Sequence, residues 1–120
     1  MAKKMSAKGQ EALATIEEGN RKVDRIHSLV EQYAAGGKGS ESLPSMISRA
    51  ATDVGRVFMN NGMGVLADNA NQIAMLAKRG GATASKFRGL RELVGSLKGG
   101  LDRAEKGVYE AEKPDEGGEH

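Results

Sequence analysis

The sequence has no cysteine and no tryptophan, and only two phenylalanines, two tyrosines and two prolines among 120 residues. Without cysteine, the chain has no disulfide framework, no thiolate nucleophile and no metal site built on sulfur. The few aromatic residues form no alternating run typical of a β-strand. The longest apolar stretch, residues 73–77, is far shorter than the roughly 20 residues that span a bilayer. We therefore expect a soluble, cytoplasmic, all-α protein.

The composition indicates one small domain with a thin core. Hydrophobic residues make up 38% of the chain and charged residues 28%, and the net charge is +2. Such a low net charge argues against a fully disordered chain, which needs strong self-repulsion as well as low hydrophobicity. We expect residues 1–113 to form a single helical-bundle domain and residues 114–120, a polar segment with three acidic residues, to form a flexible acidic tail.

Two glycine-rich breaks, at residues 36–40 and at Gly80-Gly81, divide the chain into three long segments. The first and last segments repeat apolar or small residues at steps of three and four, a seam typical of coiled-coil packing. The first seam contains Gly9, Ala12, Ile16, Gly19, Val23, Ile26, Val30 and Tyr33, and the last contains Phe87, Leu90, Val94, Leu97, Leu101, Ala104, Val108 and Ala111.

The middle segment carries two apolar registers that change near Asn60-Asn61-Gly62. A single helix kinked at residues 60–62 would match the two flanking helices in length, and Asn61 would then be a buried amide that fixes the register. Alternatively, Asn61 and Gly62 form a turn between two shorter helices. We prefer an antiparallel bundle of three long helices with a kinked middle helix; the alternative is four helices.

The sequence offers few groups for catalysis or for a cofactor. His27 has Asp24 and Glu31 on its helix face, but a di-iron bundle needs a Glu-x-x-His pair on each of two helices. The segment at residues 36–40 lacks the Gly-Lys-Ser order of a phosphate-binding loop. We therefore expect no metal, no cofactor, no small-molecule substrate and no enzymatic activity.

A basic cluster lies around the second glycine break, because no acidic residue occurs between Asp68 and Glu92. The cluster contains Lys78, Arg79, Lys86, Arg88 and Arg91. Cations in the first turns of the last helix oppose its macrodipole, which suggests that they bind an anion or a partner. A plain solvated surface is the structural alternative, and nucleic acid is weakly supported because Phe87 is the one aromatic residue nearby.

Small residues form a second stripe along the last segment, offset from its seam: Gly89, Ser96, Gly100 and Gly107. Such a stripe permits close approach of another backbone, either a helix of the same bundle or a second subunit. We expect a non-catalytic bundle that acts through protein–protein interaction or self-association, as an adaptor or structural subunit and as a homo-oligomer. The alternative function is a nucleic-acid-associated accessory protein that binds through the basic cluster.

Overall fold

The structure is a computed structural model and describes residues 5–112. These residues form an all-α bundle without strands, which confirms the predicted fold class. The tail predicted at residues 114–120 lies outside the described residues. The helices are, in chain order, α1 (Ala7–Ala35), α2 (Leu43–Asn60), α3 (Gly64–Lys78) and α4 (Thr83–Glu112).

The helices form a square in which each neighbour runs antiparallel to the next. α1 packs against α2 and α4, and α3 packs against the same two helices. The antiparallel direction of α1 and α4 is marked at both ends: Ser6 at the start of α1 is hydrogen-bonded to Glu112, and Glu31 near its end is paired with Arg91. The connections from α1 to α2 and from α3 to α4 therefore lie at one end of the bundle.

The middle segment is a helical hairpin, so the structure has the four-helix alternative and the single kinked middle helix does not form. α2 ends at Asn60, and Gly62 has a φ of +75°, a conformation that glycine adopts without steric cost. The exposed Asn61 side chain donates a hydrogen bond to the carbonyl of Val57 at 2.7 Å, which satisfies a backbone group left open at the helix end. Asn61 is thus a turn residue and not a buried amide.

The core is built from the two predicted seams and the inner faces of the hairpin. Val23, Ile26 and Val30 of α1 are fully buried, as are Leu90, Leu97 and Leu101 of α4. The largest fully buried side chain is Phe58, whose ring lies against Gly19. Pro44 lies in the first turn of α2, where its missing N–H leaves no helical hydrogen bond unmade.

The hairpin is much shorter than the pair of helices that it covers. α1 and α4 contain 29 and 30 residues, whereas α2 and α3 contain 18 and 15. At 1.5 Å per residue, the long helices extend about 45 Å and the hairpin about 25 Å. α1 and α4 therefore continue beyond the 61–63 turn as an antiparallel pair, and we call residues 7–15 and 103–112 the open end.

Candidate interaction surface

The open end carries an apolar groove between α1 and α4, on the face where the hairpin would continue if it were longer. The groove has a volume of about 330 Å³. Its lining is Lys8, Gly9, Ala12, Ala104, Gly107, Val108, Ala111 and Glu112. Six of these eight residues are apolar or glycine, so the groove presents a mostly hydrophobic surface at which helices can approach closely.

The α4 seam continues from the core into this groove with the same spacing of three and four residues. Leu97 and Leu101 are fully buried where α3 covers them, whereas Ala104 and Val108 are half-buried and Ala111 is exposed. All five residues have the same phase on the helix, so the difference in burial comes from the length of the hairpin. Within residues 5–112, the groove is therefore the uncovered continuation of the core.

A polar clamp joins α1 to α4 at the tip of the open end. The Ser6 backbone N–H and hydroxyl both donate to the Glu112 carboxylate, at 2.8 and 2.7 Å, while the hydroxyl accepts from the Gly9 N–H at 3.0 Å. Ser6 is thus the N-cap of α1, and Glu112 places a negative charge at the positive end of its macrodipole. Gly9 makes room for this carboxylate, because a Cβ there would lie 2.8 Å from Glu112 Oε2.

The turn between α2 and α3 forms the inner wall of the open end. Met63 is half-buried and borders two further clefts, one of about 190 Å³ beside Ala12 and Thr15 of α1 and one of about 400 Å³ beside Ala104 of α4. Val65, the second residue of α3, is 76% exposed. A flexible methionine and an exposed valine at this wall extend the apolar surface with side chains that can adapt to a partner.

The small-residue stripe lies partly inside the bundle. A Cβ at Gly89 would lie 2.8 Å from Leu76 Cδ2, and a Cβ at Gly100 would lie 2.8 Å from Leu66 Cδ2, so both glycines receive leucines of α3. Ser96 is exposed beside this contact, and Gly107 lies beyond α3 in the groove of the open end. The structure thus divides the stripe between the α3–α4 contact and the groove.

The basic cluster lies at the opposite end of the bundle, and two of its five members have contacts within the fold. The Lys86 ammonium donates to the Ala77 carbonyl at 3.3 Å and lies 5.9 Å from the centre of the Tyr33 ring. Arg91 binds both carboxylate oxygens of Glu31. The hydrogen bond from Arg91, aided by its charge, lowers the pKa of Glu31, and the pKa of Arg91 is raised in turn.

The other three cations, Lys78, Arg79 and Arg88, are exposed, and within residues 5–112 they form no salt bridge. Lys38, in the connection between α1 and α2, is also at this end. The structure therefore places four exposed cations around the two connections, in which Glu41 is the acidic residue.

A second set of polar groups joins α1 to α4 on their exposed sides. Lys98 on α4 lies 3.5 Å from an oxygen of Asp24 and 2.8 Å from Nδ1 of His27. His27 is exposed, and residues 5–112 contain no group of three acidic, histidine or cysteine side chains arranged to hold a metal ion. Nor does any helix in this part of the chain have the length and apolarity required to cross a membrane.

Sequence reasoning did not locate the groove, because its position depends on the length of the hairpin. The α4 seam and the Asn-Asn-Gly turn were both visible, but the preferred kinked helix would have covered the whole seam. A turn at residues 60–62 shortens the middle helices and leaves the last residues of the α4 seam without a helix to pack against. Comparison of the chain with known protein families, with curated proteins and with solved structures finds no match.

Proposed function

We propose that this protein is a non-catalytic helical bundle that acts through protein–protein interaction, with the groove of the open end as its contact surface. The observation that carries the proposal is the continuation of the α4 seam through Ala104, Val108 and Ala111 into a groove lined by apolar residues. In the covered half of the bundle, residues of the same phase bury their side chains against a helical hairpin. A protein partner that supplies helices would bury the remainder in the same way.

The shape of the groove also favours a helical protein as the ligand. Gly9, Gly107 and the alanines have small side chains or none, so a helix in the groove can come close to the backbones of α1 and α4. Its polar groups are few, and Glu112 is held by Ser6 in the clamp described above. The groove therefore offers contact area and shape rather than an array of groups for chemistry on a small substrate.

Site-specific photocrosslinking in cells that naturally produce this protein tests the proposal. A photoreactive amino acid at Gly107 should form a discrete protein adduct, because a bound partner lies against the groove. The matched control is Gly95, another exposed glycine of α4, which lies away from the groove. Mass spectrometry would identify the adduct, and binding of the purified partner should be lost with Gly107→Gln. Equal adducts at the two positions, or none at Gly107, would contradict the proposal.

A second candidate function, binding of a nucleic acid or another polyanion, is favoured by the exposed cations at the other end of the bundle, three of which form no salt bridge within residues 5–112. Lys78, Arg79 and Arg88 have no role in the described packing, so replacing all three with serine should leave the fold intact. If these cations bind phosphates, the affinity for a labelled DNA or RNA duplex falls steeply with salt. The triple variant should lower the salt slope by about 0.9 for each phosphate that the cations neutralise in the unmodified chain.

The control for this experiment is a variant with the same loss of charge elsewhere, in which Arg21, Arg25 and Arg49 are replaced with serine. These three arginines are exposed on α1 and α2. Equal binding by the two triple variants would show that the basic cluster is a solvated surface and nothing more.

A further inference from the structure

We propose that the partner in the groove is the open end of a second copy of this chain, so that two bundles join end to end about a two-fold axis. This inference rests on the proposed function, since it names the partner of the same groove. In the covered half, the α1–α4 pair packs against another antiparallel pair of helices, the α2–α3 hairpin. The open end is itself an antiparallel pair whose apolar face no other part of residues 5–112 covers, and a second copy therefore presents the kind of surface that each groove lacks.

The geometry of such a dimer repeats that of the bundle. When two open ends pack face to face and the bundles point in opposite directions, the two-fold axis is perpendicular to the helices. α1 then lies beside α1 of the second copy and α4 beside α4, each pair antiparallel. All four neighbouring pairs in that cross-section are antiparallel, as they are among α1, α2, α3 and α4. Like any isologous contact, the interface closes with two chains.

The length of the uncovered segment fits this arrangement. Each helix continues for about 15 Å beyond the hairpin, at 1.5 Å per residue. The occupant must therefore supply two helical stretches of about that length, ending near the 61–63 turn. The open end of a second copy meets both conditions. Its two helices extend beyond the hairpin by the same distance as the uncovered segment that they would pack against, because the two chains are identical.

The charges beside the groove are arranged to suit an antiparallel contact with an identical chain. On α4, Arg103 comes before Glu110, seven residues later, so the two side chains lie on the same side of the helix. When α4 runs antiparallel to its counterpart, Arg103 of each copy faces the Glu110 end of the other. This contact therefore places opposite charges together, which favours this partner and its direction.

The terminal segments of the chain are poorer candidates for covering the groove. Residues 1–4 and 113–120 adjoin the open end in sequence, but they contain mainly charged residues and glycine. Met1, Ala2 and Pro114 are their only apolar members. They offer little apolar surface with which to replace water on Val108 and Ala111.

Light scattering of the purified full-length chain, from micromolar to millimolar concentration, tests the proposal. The mass should rise to twice that of the chain, and Gly107→Gln should weaken the dimer by tenfold or more because the longer side chain fills the groove. Gly95→Gln is the matched control and should leave the dimer unchanged. Among residues 5–112, no atom beyond the local helix lies within 4 Å of a Cβ placed at either glycine, so both variants should fold. Circular dichroism verifies this.

The absence of cysteine permits a direct test of the geometry. Gly107 lies near the middle of the α4 part of the open end, so a cysteine there should lie close to its counterpart across the two-fold axis. Mild oxidation of Gly107→Cys with copper phenanthroline should give a covalent dimer within minutes. Gly95→Cys, distant from the axis, should react far more slowly. Equal rates for the two variants would overturn the proposed arrangement.

The outcomes separate this inference from the proposed function. A chain that stays monomeric at millimolar concentration, but crosslinks through Gly107 to a different protein in cells, overturns the dimer and leaves the proposed function in place. A dimer that Gly107→Gln does not weaken also overturns the inference, because the contact then lies elsewhere. A monomer that gives no adduct at Gly107 contradicts both proposals.

Discussion

Replacing Gly19 with alanine tests the packing of the largest core residue against α1. A Cβ at this position would lie 2.7 Å from Cε1 of Phe58, 2.9 Å from its Cζ and 3.2 Å from Cδ2 of Leu101. Phe58 and Leu101 are both fully buried, so neither can turn toward solvent to make room. Accommodating the methyl group therefore requires the core to shift, and overpacking of this kind costs about 1–3 kcal/mol.

The steric cost of Gly19→Ala must be separated from the effect of alanine on helix formation. Alanine is favoured over glycine in a helix interior by about 1 kcal/mol, and this gain opposes the steric cost at Gly19. Gly95→Ala serves as the control, since Gly95 is also inside a helix and is exposed. We expect Gly95→Ala to raise the free energy of unfolding by about 1 kcal/mol. Gly19→Ala should fall below this control by the steric cost alone, about 1–3 kcal/mol.

Urea unfolding followed by circular dichroism at one fixed protein concentration measures both variants. Equal slopes against urea would show that the two midpoints compare stability and not a change in the unfolded state. Adding Phe58→Leu should reduce the penalty of Gly19→Ala, because the smaller side chain gives up space to the new methyl group. If Gly19→Ala stabilises the protein as much as Gly95→Ala does, the described contact between α1 and the Phe58 ring is refuted.

Three further variants test the turn, the cap and the cross-helix ion pair by urea unfolding. Gly62→Ala should destabilise the protein by about 1–2 kcal/mol because of its positive φ, whereas stabilisation would indicate a continuous middle helix. Ser6→Ala should cost about 1 kcal/mol and speed amide exchange in the first turn of α1; unchanged exchange would argue against the cap. Arg91 lowers the pKa of Glu31 below the ordinary value of 4.5, so this pair stabilises the fold above that pH and its contribution is lost as the pH falls through the lowered pKa. Glu31→Gln should therefore destabilise the protein at pH 7 and progressively less as the pH is lowered through the pKa of Glu31, and an effect that stays constant down to pH 2 would refute the pairing.

The sequence predicts the long helices well because their packing is a local, repeated pattern. The seams of α1 and α4 show which residues face the core, and they do so from spacing alone. The same pattern is ambiguous in the middle segment, where both registers fit either a kink or a turn. The choice there depends on Gly62 adopting a positive φ and on whether α3 packs back against α2. Those are tertiary contacts, which helical spacing does not encode.

The candidate surfaces show the same limit. The basic cluster could be identified from charge, but the pairing of Arg91 with Glu31 joins residues 60 positions apart and removes one of its five cations from the free surface. Likewise, the sequence marks Gly100 and Gly107 as members of one stripe, although α3 covers the first and leaves the second in the groove. Their environments differ because α3 begins at Gly64, which lies beside the part of α4 between Gly100 and Gly107.

The hydrogen bonds between Ser6 and Glu112 bring the two ends of the described chain together. An affinity tag or fluorescent protein joined directly to residue 5 or residue 112 would therefore lie beside the groove and obstruct whatever docks there. A circular permutant suits such assays better, with residues 5 and 112 joined by a short linker and the new ends opened in the glycine-rich connection after α1. Labels on the new ends would lie at the opposite end of the bundle, some 40 Å from the groove, a distance given by the helical rise along α1.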